Sequence, residues 1–102
     1  MSIKIDIAYT ISFTLEFAGW LAELADEKAK GLITQRLRRA EEGHFGDVER
    51  VGEGVSEMRV HYGPGYRLYF TMRGVVIIML CGGDKGSQKR DIARAKSIRD
   101  SL

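Results

Sequence analysis

Arg59, His61, Arg67 and Tyr69 flank the segment Tyr62-Gly63-Pro64-Gly65-Tyr66, two on each side and at alternate positions. A Gly-Pro-Gly segment between two alternating runs turns a hairpin, and alternation puts side chains two apart on the same face. One sheet face would then carry two guanidiniums that can bind phosphate oxygens, an aromatic plane that can stack on a base, and an imidazole that can move a proton. That combination suits chemistry on a nucleic-acid backbone. A fourth group, Lys85, lies in Gly82-Gly83-Asp84-Lys85-Gly86-Ser87-Gln88, between an apolar run and a helical pattern. There, backbone N–H groups and a lysine can meet a phosphate, although the glycine spacing is not that of a Walker loop. The same residues also admit structural uses: Arg59 can pair with Glu57 or Glu53, and the glycine segment can simply end a strand and cap a helix.

A register in which Tyr62 faces Tyr66 places His61 opposite Arg67, Arg59 opposite Tyr69 and Met58 opposite Phe70. Met58, Val60, Tyr62, Tyr66, Leu68 and Phe70 then share one face, and Glu57, Arg59, His61, Arg67, Tyr69 and Thr71 the other. A cation opposite His61 disfavours imidazolium and leaves a ring nitrogen able to accept a proton.

These groups need a frame. Ile3, Ile5 and Ile7 alternate with Lys4, Asp6 and Ala8, which reads as a first strand. From Ser12, taken as an N-cap, Phe13, Phe17, Trp20, Leu21 and Leu24 make a helical stripe, with Trp20 anchoring the core. Asp26 caps a second helix with Ala29, Ile33, Leu37 and Ala40 on its apolar side, stopping at Gly43. A short strand is expected at Asp47–Val51. Arg73-Gly74 turns the chain into Val75–Cys81, whose apolar residues on both faces mark a central strand ended by Gly82 and Gly83. A last helix starts near Ser87, with Ile92, Ala95 and Ile98 inward. The expectation is an α+β domain in the order β-α-α-β-β-β(-β)-α, with a mainly antiparallel sheet, the helices on one face and the other face partly open.

The 102 residues suit one domain, and 44% apolar with 29% charged residues describes a folding chain. Net charge is +2, yet residues 1–50 hold seven Lys/Arg against nine Asp/Glu while residues 51–102 hold nine against five. The C-terminal excess fits an anionic partner or a solvated surface. The single Cys81 excludes an intramolecular disulfide and reads as a core residue in an apolar strand. With no secretory pattern and no run near the roughly 20 residues that span a bilayer, a cytoplasmic location away from membranes is expected. Two histidines and one cysteine are too scattered for a metal site, and no cofactor is expected.

Five segments in this order and spacing carry a resemblance over almost the whole chain: Phe17-Ala18-Gly19-Trp20-Leu21, Gly43-His44-Phe45-Gly46-Asp47, Gly54-Val55-Ser56-Glu57-Met58-Arg59, Tyr62 through Phe70, and Gly82-Gly83-Asp84-Lys85 with Gln88 and Asp91-Ile92. The chain resembles the HigB-like, phage Gp49-related branch of the RelE/ParE superfamily, the addiction-module killer proteins. The resemblance implies a RelE-like fold and the toxin of a type II toxin–antitoxin pair, neutralised by a helix-turn-helix antitoxin and touching promoter DNA only through that complex. It implies an endoribonuclease that cuts mRNA on the ribosome by attack of a ribose 2′-OH on the adjacent phosphate. Arg59, Arg67 and Lys85 match the cationic positions, His61 is the local proton-transfer group, and Tyr69, Tyr66, Lys89 and Arg90 complete an RNA-binding set. Two positions depart from RelE itself, which has a lysine where Glu57 stands and a catalytic tyrosine where Asp91 stands. Two other readings remain open: a ParE-like gyrase inhibitor on the same fold, and a noncatalytic ribosome- or RNA-binding module.

Overall fold

The computed structural model describes residues 8–102, so the strand expected at Ile3–Ile7 lies outside the described residues. Five strands form one sheet in the order β1-β5-β4-β3-β2, comprising β1 (Thr10–Phe13), β2 (Val48–Gly52), β3 (Val55–Val60), β4 (Tyr66–Arg73) and β5 (Val76–Asp84). Helices α1 (Leu15–Glu23) and α2 (Glu27–Glu41) separate β1 from β2. A single 3₁₀ turn (Lys85–Ser87) leads into α3 (Gln88–Asp100). Four strands are antiparallel to their neighbours, and β1 joins β5 in parallel, so the expected α+β architecture holds.

The first helix begins two residues later than its apolar stripe implies. Thr10 to Phe13 pair with Val76 to Met79, so Phe13 belongs to the edge strand and stays half-exposed. Thr14, not Ser12, is the N-cap. Its hydroxyl accepts from the Phe17 N–H at 3.1 Å and donates to the Leu80 carbonyl at 2.6 Å, one side chain ending the strand, starting the helix and holding both to β5. Helix α2 follows its sequence pattern closely. Asp26 accepts from the N–H groups of Lys28 and Ala29, and Ala29, Ile33, Leu37 and Ala40 are the buried positions.

Helices α1 and α2 cover one sheet face, where Phe17, Ile33 and Leu37 pack against Met58, Leu68, Phe70, Ile77 and Met79. Helix α3 covers the opposite face: Ala95, with Ile92 and Ile98, packs on Val55, Tyr69, Leu80 and Cys81. The expectation of helices on one face is corrected here. Its physical reason was already visible in β5, which is apolar on both sides and therefore needs cover on both. A register slip between Tyr69 and Phe70, which pair with Cys81 and Met79, leaves Leu80 as an extra residue and directs both Leu80 and Cys81 towards α3.

Strand β5 also runs through Gly82 and Gly83 rather than ending there. The glycines serve close packing: a Cβ at Gly82 would clash with the Trp20 ring, and one at Gly83 would meet the Asp91 carboxylate and the Ser87 hydroxyl.

Candidate phosphate-binding rim

The β3–β4 hairpin assigns side chains to faces as expected but pairs them two residues out of step. Arg59 lies opposite Arg67, Glu57 opposite Tyr69 and Met58 opposite Leu68. The turn is longer than Gly63–Gly65: Tyr62 N–H donates to Val60 at 2.9 Å and Gly65 N–H to Tyr62 at 3.1 Å, so His61 to Gly65 all belong to it. A shift of two preserves alternation, which is why the faces survive while the partners change. Tyr62 leaves the sheet and donates its hydroxyl to Asp26 at 2.9 Å.

On the α3 side of this hairpin sits a carboxylate ringed by donors. Glu57 is completely buried. Its Oε1 accepts from Gln88 Nε2 at 2.6 Å and from the Tyr69 hydroxyl at 3.2 Å, and its Oε2 accepts from Arg59 Nε at 3.1 Å. Arg67 Nε lies 4.0 Å from Oε1 and has no hydrogen-bond partner among the described residues. Burying a carboxylate is costly unless it is paired and hydrogen-bonded, and these four groups meet that requirement.

Arg59 is held by three carboxylates: Glu57, Glu49 through Nη2, and Asp47, whose Oδ1 is 3.9 Å from Nη1. From below, Arg36 of α2 donates to the carbonyls of Arg59 and Phe45, fixing the backbone of this corner. His61 is exposed and places Nε2 2.6 Å from Asp47 Oδ2. The expected His61–Arg67 pairing is therefore corrected, because the longer turn carries the imidazole towards β2 and a carboxylate. Hydrogen bonding from His61, with the charge of Arg59 beside it, holds the Asp47 carboxyl below its ordinary value.

Arg67 and Lys85 both border Gly65. The Arg67 Nη1 donates to the carbonyls of Gly65 at 3.1 Å and Tyr66 at 3.3 Å. A Cβ at Gly65 would lie 3.3 Å from that nitrogen and 3.5 Å from Lys85 Cβ, so this glycine, at φ 79°, leaves room between the Arg67 guanidinium and the base of the Lys85 side chain. Arg67 is 8% exposed while Lys85 is open to solvent. Beyond Lys85, the exposed Lys89 and Arg90 border a depression of about 540 Å³ with Gly86, Ser87 and Ala93.

The two tyrosines are not presented to solvent. Tyr69 is fully buried under α3, and its phenol is pushed up, first by burial and then by the neighbouring Glu57 charge, so it stays a neutral donor. The expectation that Tyr69 offers a plane for a base is corrected by that burial. Tyr66 packs in the α1–α2 core edge-on to Trp20, with centroids 6.2 Å apart. Cys81 is buried, as expected for a core residue, and its thiol is pushed up to about 12 by burial and then by Asp91.

The sequence pointed to Glu57 as a partner for Arg59, but not to Gln88 or Tyr69 as its other donors, nor to the burial of Asp91. The helical spacing of Gln88, Asp91, Ile92 and Ala95 was a usable signal, since it puts both polar side chains on the face that carries the apolar ones. Asp91 is buried, receives the Ser87 hydroxyl and packs over Gly83. Among the described residues, no group of three His, Cys, Asp or Glu side chains could hold a metal, and no helix is long and apolar enough to cross a membrane.

No family model matches the chain. Its fold is similar to that of the E. coli toxin RelE, solved as a mutant in the free state, with a TM-score of 0.71 over 90% of this chain and 97% of that one at 16% identity. In sequence it is 43% identical over 93 residues to an uncharacterized protein of Haemophilus influenzae, covering 90% of this chain and 94% of that protein. A RelE-like fold and near full-length identity at that level together place the chain in one family with the Haemophilus influenzae protein.

Proposed function

We propose that the whole chain acts as one toxin domain of a type II toxin–antitoxin pair, of the HigB-like kind, and that it cleaves mRNA on the ribosome. The observation that carries this reading is that the Arg67 guanidinium and the base of the Lys85 side chain both border Gly65, at the end of a RelE-like sheet, from which the flexible Lys85 can reach a phosphate held by Arg67. Two cations on one phosphate stabilise the charge that builds on its oxygens when a ribose 2′-OH attacks. The phosphorus–5′-oxygen bond then breaks and the leaving oxygen takes a proton from solvent water, leaving a 2′,3′-cyclic phosphate and a 5′-hydroxyl. His61 is the proton-transfer group of the proposal. With Nε2–H donated to Asp47, Nδ1 carries the lone pair that takes the 2′-OH proton. Lys89 and Arg90 extend the contact to neighbouring phosphates. A helix-turn-helix antitoxin is the expected partner, the site is expected to be cytoplasmic, and no cofactor enters the scheme.

A second reading is favoured by a specific observation. Arg59, a matching cation of the resemblance, is already engaged by three carboxylates, which suits a noncatalytic RNA- or ribosome-binding module as well as an enzyme. Inducing the protein in cells and mapping transcript ends separates the possibilities. Codon-associated cuts that disappear with Arg67→Ala and with Lys85→Ala support the nuclease. Growth arrest with intact transcripts refutes it, and DNA damage in that case indicates a ParE-like gyrase inhibitor.

A further inference from the structure

The geometry points to an internal anion in this protein: Asp47, Glu49 and Glu57 occupy Arg59 in the place an RNA phosphate would take, so a backbone phosphate binds there only by displacing the outer two carboxylates. The inference rests on the RNA-directed reading above and concerns how its site is guarded.

The charges make the case. Around Arg59 three carboxylates face three guanidiniums, those of Arg59, Arg67 and Arg36, the last of which also acts on Asp47, so the cations of this corner are already balanced by internal anions. All three nitrogens of Arg59 face a carboxylate oxygen, Nε towards Glu57, Nη1 towards Asp47 and Nη2 towards Glu49. The three anions differ in how firmly they are held. Glu57 is 1% exposed and tied to Gln88 and Tyr69, whereas Asp47 and Glu49 are 43% and 58% exposed. An exposed pair contributes little to stability, so the two outer carboxylates can leave without unfolding the corner. Arg59 is itself 29% exposed, and both of its terminal nitrogens lie on the side of those outer carboxylates. A backbone phosphate, a monoanion as each of these carboxylates is, offers that fork the same bidentate geometry.

A double-mutant cycle tests this on the full chain, with a 2′-O-methyl oligoribonucleotide as the probe so that cleavage plays no part. Anisotropy titrations across a salt series would compare the parent, Glu49→Gln, Asp47→Asn, and each of these combined with Arg59→Ala. Releasing one guanidinium to a phosphate is expected to tighten binding about five- to tenfold and to steepen the salt dependence by about 0.7 in the log–log slope. Both gains should vanish in the Arg59→Ala background. A gain that persists without Arg59 is a general charge effect and overturns the inference, as does a Glu49→Gln protein that binds no tighter. Arg67→Ala reports separately on the RNA reading: if it abolishes binding while the cycle shows no coupling, the RNA reading stands and the guard does not. A probe that binds none of these forms overturns both.

Discussion

Replacing Tyr69 with Phe separates a structural tyrosine from a base-stacking one. The substitution keeps the ring, and therefore the packing against Val55, Leu80 and Ala95, and removes only the hydroxyl that donates to Glu57 Oε1 at 3.2 Å. A hydrogen bond to a charged acceptor contributes about 1.5–3 kcal/mol. The length of this one and the survival of Gln88 Nε2 at 2.6 Å on the same oxygen point to the lower end, about 1.5 kcal/mol. For a domain of this size that loss lowers Tm by roughly 6–12 °C. In urea it moves the midpoint by about 0.5–1.5 M with the slope unchanged. Combining Tyr69→Phe with Glu57→Gln should give less than the sum of the two losses, since both act on one bond. If Tyr69 served to stack on a base, phenylalanine would serve equally well and the midpoint would not move. A variant within about 0.3 kcal/mol of the parent, additive with Glu57→Gln, refutes the reasoning.

The other predictions bear on packing, protonation and reactivity. Gly82→Ala and Gly83→Ala each force a Cβ into occupied space and should cost about 1–3 kcal/mol by urea denaturation, Gly83→Ala the more because it also disturbs the Ser87–Asp91 bond at the head of α3. Cys81, with its thiol pushed up to about 12, should not react with a thiol reagent at pH 8 until denaturant is added; prompt labelling of the native protein contradicts its burial. Asp26 is held below the ordinary carboxyl value, first by the Ala29 N–H and then by the Tyr62 hydroxyl, and Asp47 first by its bond to His61. Both lowered values contribute stability that is fully present above the ordinary value of 3.8 and is lost as pH falls through the folded values, so Asp26→Asn and Asp47→Asn should each flatten the acid limb of a Tm-against-pH curve.

Where one physical rule acts alone, the sequence was legible. In α2 a 3.6-residue period and an Asp N-cap identify the four buried positions, because that helix meets a single apolar surface. The hairpin's two faces were readable for the same reason, since alternation depends only on the pleat. Its register was not, because Gly63 and Gly65 permit a longer turn as readily as a short one, and slips of two leave the pattern intact. Strand β1 was missed because Thr10 to Phe13 are made extended by parallel pairing with β5, a contact more than sixty residues away, while Phe13 and Phe17 mimic a helical stripe. The site was legible to the same extent. Arg67 and Lys85 border the same glycine, Arg59 took the structural pairing with Glu57 that remained open, and His61 followed the turn.

That third helix changes what kind of site the molecule can have. An uncovered sheet would let a nucleotide lie flat across Arg59, Arg67 and Tyr69, but α3 seals Tyr69, and Gln88 closes over Glu57. The Arg67 Nη1 lies against the Gly65 turn, beside the start of the 3₁₀ turn at Lys85. The buried Glu57 then has two effects there. It offsets the cost of burying most of the Arg67 guanidinium, and it fixes the direction from which that guanidinium remains available. A lysine in place of Glu57 would bring a third cation beside two arginines with no buried anion to balance them, so it would demand a rim more open to water than this one. The acid at position 57 and the helix packed over it are therefore one arrangement: α3 supplies the Gln88 donor to Glu57 and buries Tyr69, the other neutral donor to the same oxygen.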